Sequence, residues 1–509
     1  MEKNLEEQSN STILSESFEL DNSDEDETNW GTKEDYKSLI NTVVKYYKNL
    51  RDFEVFPDTE NGFLKKHMSP IFSNVPRSSK SLLNEYYSTC LPNTTHWQSP
   101  FYYAFFPGNI VPATIIGEMY MVGMNKGNAL KSNEVDNLNM QYEEKALDWM
   151  ADMLDLPDWF KRQNGAQSAI YSSAGDSFLN VALAAKNRQR MVNPEADLID
   201  KQVGYMSIVS NVAVERSIKF SNLIVHCLKD NREWNIVDEF IMKTEEIEAM
   251  FEQDIRNGLT PTLFILTVGS TQSLSIESIK DVAAAWKKYN VWVHVDAAQL
   301  GVYAVVPEYR YFLNDIELVD SFSTNGHKSL CWGMGSNLCY ISHKDYNKWL
   351  SYGSEPTMDG PARFSVDDNS TLHTTCVTQT NARRIVTTLL SLGKKKIIKE
   401  FRRHFELADY FRELISKERM FELVKTKNKL NLVMFRLKGR SNEENADFLD
   451  KVVASGKIFL VLSTVHDITF LRMSIGTMTT TKSSIREAAE HIINTANEYM
   501  SISDDEDSD

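Results

Sequence analysis

An alternation near the middle of the chain narrows the possible folds more than any other feature. Thr262 to Thr267 and Val291 to Val295 are short apolar runs of strand length, rich in β-branched or aromatic residues. Between them, Ser278 to Tyr289 spaces its apolar residues as an amphipathic helix does. Strand, helix, strand in that order predicts parallel strands joined by a right-handed crossover. Val203 to Val209 and Asn337 to Ile341 extend the pattern within Ile110 to Leu390. The middle of the chain is therefore expected to be α/β, with a mainly parallel sheet.

The flanks read differently. Tyr36 to Leu50 and Ser79 to Leu91 show helical periodicity, and HWQSPFYYAFFPGN reads as an extended, tightly packed segment. From about Lys394 a long charged helix leads to strands at Leu430 to Leu437 and Ile458 to Leu462, then to a helix at Ser483 to Met500. The expected organisation is an acidic tail over 1–35, an N-terminal helical segment over 36–110 and a large domain over 111–393. A smaller C-terminal α+β domain over 394–500 and a second acidic tail over 501–509 complete it.

Charge excludes some partners. The net charge is −16, but residues 1–30 hold ten acids against one lysine and residues 501–509 hold five acids and no base. The tails thus carry fourteen of the sixteen negative charges, as solvated disordered ends do. The body is nearly neutral and shows no basic patch for nucleic acid. No stretch reaches the roughly 18 apolar residues of a membrane span. Met1 to Asn10 carry Glu2, Glu6 and Glu7 with no long apolar run behind them, and the five cysteines are scattered. A soluble, cytoplasmic protein is expected.

In an open parallel sheet, ligands sit beyond the carboxyl ends of the strands. One strand leaves as HVDAAQLG, which puts Asp296 at its end and His294 two residues earlier. An isolated aspartate there can equally cap the next turn, and the HxD pair has no third metal ligand at a matching spacing. DSFSTNGHKSL sets Asn325, Gly326, His327 and Lys328 at another strand exit. A desolvated lysine can lose its proton and act as an amine nucleophile, although lone lysines usually sit on the surface. In SAIYSSAGDSFLNVALAAK, small residues up to Ala174 and Gly175 open an alanine-rich helix whose free N–H groups suit a phosphate. LTVGSTQS places Thr271 after a further strand.

These motifs, in this order, resemble the group II pyridoxal-phosphate decarboxylases, most closely the aromatic-L-amino-acid and histidine decarboxylases. The similarity runs from about Tyr36 to Tyr499 and includes THWQSPFYYAFFP, LDWMADMLDLP and LRMSIGTMT. The resemblance implies an aspartate-aminotransferase-like large domain that binds pyridoxal 5'-phosphate. It implies that Lys328 holds the cofactor covalently and that Asp296 pairs with the pyridine nitrogen. Ala174, Gly175 and Asn325 would surround the phosphate, with His327 near it and Thr271 beside the ring. It further implies a homodimer with both active sites at the interface, and Trp97, Phe105 and Gly108 in the substrate pocket.

The chain also departs from the family pattern. Asn211, in NVAVERS, stands where most relatives stack a histidine on the cofactor. Relatives with asparagine there let oxygen intercept the reaction and give an aldehyde. Residues 353–381 contain no tyrosine, where relatives carry one that protonates Cα; Phe364 lies in that stretch. Gln299 replaces an aromatic, Gly108 a threonine, Gly326 a proline and Ser329 a tryptophan. The leading expectation is decarboxylation of an aromatic L-amino acid to its amine. An aldehyde synthase and a non-catalytic, decarboxylase-like binding protein are the alternatives.

Overall fold

The computed structural model describes residues 32–68, 72, 74–123, 137–194, 198, 200–229, 242–350 and 381–506. The chain divides into two units, Met1–Thr95 and His96–Asp509. In the first, the helix Lys33–Lys48 opens inside the stretch expected as tail, because Thr32 and Asp35 form a reciprocal capping box. The later helix Ser79–Glu85 passes into a π-helical turn, Tyr86–Cys90.

The second unit holds a seven-stranded sheet. Its strands are β1 (Ala169–Tyr171), β2 (Gln202–Ser207), β3 (Ile224–Leu228), β4 (Thr260–Thr267), β5 (Trp292–Asp296), β6 (Ser321–Asn325) and β7 (Asn337–Ile341), in the spatial order β1-β7-β6-β5-β4-β2-β3. Pairings from β3 through β6 are parallel, and β7 runs antiparallel to both β6 and β1. Every residue of β2, β5, β6 and β7 is buried, as expected of strands covered on both faces. The crossover from β4 to β5 is the helix Ile279–Tyr289, capped by Ser278 and ended by Asn290 in the left-handed region at φ 53°. Parallel pairing brings the carboxyl ends of β4, β5 and β6 to one edge.

The helix Ala382–Ser416 crosses the expected 393/394 boundary and breaks at Gly393, whose φ of 65° departs from helical geometry. Beyond it, β8 (Phe421–Leu423), β9 (Leu432–Leu437), β10 (Val461–Val465) and β11 (Ile468–Ser474) form an antiparallel sheet in the order β10-β11-β9-β8. The strand expected at Ile458 to Leu462 is displaced toward a hairpin that turns through His466 and Asp467, both at positive φ. The closing helix Lys482–Glu506 continues past Met500 into the stretch expected as a tail, since no glycine or proline stops it.

Residues 96–110, expected with the N-terminal segment, belong to the second unit. Tyr103 N donates to Phe459 O at 3.0 Å, and Ser474 N donates to Tyr103 O at 2.9 Å. Tyr102, Tyr103 and Ala104 are fully buried, so the aromatic run gains its stability from that core. Among the described residues, no helix is long and apolar enough to cross a membrane.

Candidate active site

At the shared strand edge lies a cavity of about 500 Å³ whose walls include Lys328, Asp296, His327, Asn325, Thr271, Asn211, Ala174 and Gly175. Lys328 sits in a one-turn helix, Gly326–Ser329, directly after β6, and Asp296 ends β5. Burial pushes the Lys328 amine down to about 8; Asp296 opposes this, and Arg472 adds to it. Burial also raises the Asp296 carboxyl, while the Ala298 N–H donated to Oδ1 at 3.0 Å and the Lys328 charge hold it down. The two groups thus form a buried base and acid facing one space.

The remaining walls follow from strand exits and caps. Asn211 caps the helix Val212–Phe220: its Oδ1 accepts from Ala213 N at 2.9 Å while Nδ2 donates to Thr271 Oγ1 at 3.0 Å. Ser173 caps the helix Ala174–Val192, leaving the first N–H groups of that helix free at the cavity. Asn325 accepts from Asn337 Nδ2 at 2.7 Å. His327 is pushed down to about 4, chiefly by burial, and accepts from Ser336 N at 3.3 Å.

His294 turns away from this chemistry. Its two ring nitrogens lie 2.8 Å from Ser321 Oγ and 3.1 Å from Ser323 Oγ, and burial pushes it down to about 3. It is a neutral histidine of the sheet.

Trp97 and Phe105 are not among the cavity walls. Trp97 stacks on Tyr102 at 4.7 Å and on Phe105 at 6.3 Å, and Phe105 is half-exposed with a φ of 51°. Gly108 stands near, since a Cβ there would come within 3.4 Å of His327 O. The tyrosine-free stretch 353–381 lies, except for Asn381, outside the described residues.

Phe106 ends the aromatic run expected at the substrate pocket, whereas two further buried residues, Arg472 and Glu277, carried no expectation. Phe106 has Lys328 Nζ 5.4 Å and Arg472 Cζ 5.3 Å from its ring centre. Arg472 keeps Nε and Nη2 without a hydrogen-bond partner among the described residues. Glu277, ten residues beyond the end of β4, accepts from Thr267 N and is raised to about 7, chiefly by burial. Arg472 lies in LRMSIGTMT, which the sequence reading quoted as a motif without singling out the arginine.

A buried lysine opposite a buried aspartate, with a helix N-terminus at the same cavity, is an arrangement suited to an enzyme with a phosphate-bearing carbonyl cofactor. The chain matches the pyridoxal-dependent decarboxylase conserved domain over residues 62–438, and it belongs to that family. It is 27% identical to phenylacetaldehyde synthase of Arabidopsis thaliana, over 88% of this chain and 92% of that one. It is also 27% identical to aromatic-L-amino-acid decarboxylase of Manduca sexta, over 90% of each. The fold superposes on tryptophan decarboxylase of Catharanthus roseus, solved in complex with L-tryptophan, with a TM-score of 0.84 at 23% identity. That match covers 92% of this chain and all of the other.

The cofactor is pyridoxal phosphate, and the residues present fit it. Lys328 is buried and low enough in pKa to offer a neutral amine, and Asp296 is a buried acceptor for a ring N–H.

Proposed function

We propose that this protein decarboxylates an aromatic L-amino acid to its amine. The observation that carries the reading is the pairing of Lys328 and Asp296 across one buried cavity. The cofactor supplies an electron sink for the pair left behind as carbon dioxide departs. Lys328 would hold it through its amine, and Asp296 would keep the ring nitrogen protonated. Ala174, Gly175 and Asn325, with His327 near them, would hold the phosphate, and Asn211 and Thr271 would lie beside the ring. The low dielectric of the cavity strengthens each of these interactions.

The protein acts as a cytoplasmic homodimer in this reading. The helix Pro112–Gly123 exposes Ile116, Met119, Tyr120 and Val122, an apolar face that a second copy would cover. Half-exposed Phe105, with Trp97 behind it and Gly108 nearby, is then available as an aromatic wall for the substrate.

One observation favours a second product. Asn211 lines the cavity with an amide that carries no titratable proton, held at both ends by Ala213 and Thr271. Without an acid there, dioxygen would have longer to take two electrons and become hydrogen peroxide, and water would then release the product as aldehyde and ammonia. The test is a product assay with pyridoxal phosphate and a panel of aromatic amino acids plus histidine. It follows amine, aldehyde, peroxide and oxygen together. Amine without oxygen uptake supports the leading reading, aldehyde with peroxide the second, and no product from a cofactor-loaded protein removes both.

A further inference from the structure

Two departures from the family pattern, Gln299 and Ser329, meet at one atom. Tyr303 lies in the 3-10 turn Gly301–Val305 and is fully enclosed. Gln299 Nε2 donates to its hydroxyl at 3.1 Å, and Ser329 Oγ lies 3.1 Å from the same oxygen. Asn431, just ahead of β9 in the C-terminal domain, lies close to the same hydroxyl. The ring itself is clamped edge-on by Phe401 at 5.0 Å and Phe405 at 5.1 Å. The hydroxyl is therefore a fixed point.

Gln299 is three residues beyond Asp296, and Ser329 adjoins Lys328. The two strand exits that face the cofactor are thus fastened to one oxygen. The Lys328 turn needs such a fastening, because a helix of four residues has few internal bonds to hold it. We propose that Tyr303 is a positioning residue: its hydroxyl fixes the Lys328 turn relative to Asp296, and its ring, clamped by Phe401 and Phe405, anchors both against the long helix that leads into the C-terminal domain.

The inference rests on Lys328 holding the cofactor, which the visible absorbance of the wild-type holoenzyme reports separately. Tyr303→Phe retains the clamped ring and removes only the oxygen; Ser329→Ala removes one partner. Each variant is loaded with pyridoxal phosphate, and its absorbance band is titrated with pH while cofactor release and steady-state kinetics are followed. Both should shift the pH midpoint of the band and lower kcat with little change in KM. Release should quicken roughly tenfold, the scale of one lost buried hydrogen bond. The double variant should be no worse than Tyr303→Phe alone, because both act through one contact. An unchanged midpoint and release rate in Tyr303→Phe, or fully additive losses in the double variant, would overturn the assignment.

Discussion

Asn211 donates its side-chain amide to the Thr271 hydroxyl at 3.0 Å while its oxygen caps the following helix. Both ends of the amide are engaged, so the group is oriented but cannot supply a proton. Asn211→His places a titratable ring at the same wall and should raise the share of amine over aldehyde. Because histidine is a poorer helix cap, the variant should also lose about 1 kcal/mol of stability. Product ratios measured under air and under nitrogen check the first effect. No change in ratio removes Asn211 as the determinant.

The Lys328 amine, lowered to about 8 chiefly by burial, is the group proposed to capture the cofactor. Only the neutral amine attacks a carbonyl, so capture by the apo-protein should quicken as pH rises and level off above about 8. Arg472→Met removes a neighbouring positive charge and should move that rise to higher pH. Lys328→Ala should abolish the covalent absorbance band altogether. Stopped-flow absorbance against pH decides all three, and a band that survives in Lys328→Ala rules out the assignment.

How much of this was legible in the sequence depends on where each residue's partners lie. Asp296 and Lys328 could be read because each ends a strand, and parallel pairing of β4, β5 and β6 puts such ends together. Asn211 and Thr271 could be placed by their motifs, but not their mutual hydrogen bond, which joins residues 60 positions apart. Glu277 and Tyr303 carry no local signal, and Arg472 lies in the LRMSIGTMT motif with nothing there to mark it out. They matter because distant elements bury them against the site. The short strands β1 and β3 were missed for a related reason: β1 has three residues, and β3 is largely half-buried, so neither shows a clear period.

Gly326 supplies a packing test. A Cβ there would lie 2.0 Å from Cε3 of Trp332, a fully buried ring. Gly326→Ala must displace either the indole or the turn that carries Lys328. The expected cost is about 1–3 kcal/mol, with weakened cofactor retention. Denaturant unfolding and dialysis against cofactor-free buffer measure the two effects, and a variant as stable as wild type would show that Trp332 moves freely.

Glu277 ties stability to pH. Burial is the main cause of its rise to about 7, with Asp296 adding and nearby Ser207 and the bond from Thr267 N opposing. In the unfolded chain it would ionise near 4.5, so the folded state holds the proton longer. This contribution is complete below that value, falls away as pH rises toward 7, and leaves the folded protein carrying a buried charge above it. Glutamine keeps the shape and cannot ionise. Glu277→Gln should therefore match the wild-type apo-protein at pH near 5 and exceed it by on the order of 2–3 kcal/mol near pH 8. Urea unfolding at both pH values checks this. If the two proteins lose stability in parallel between them, Glu277 is ionised in the folded state throughout and the buried proton is not there.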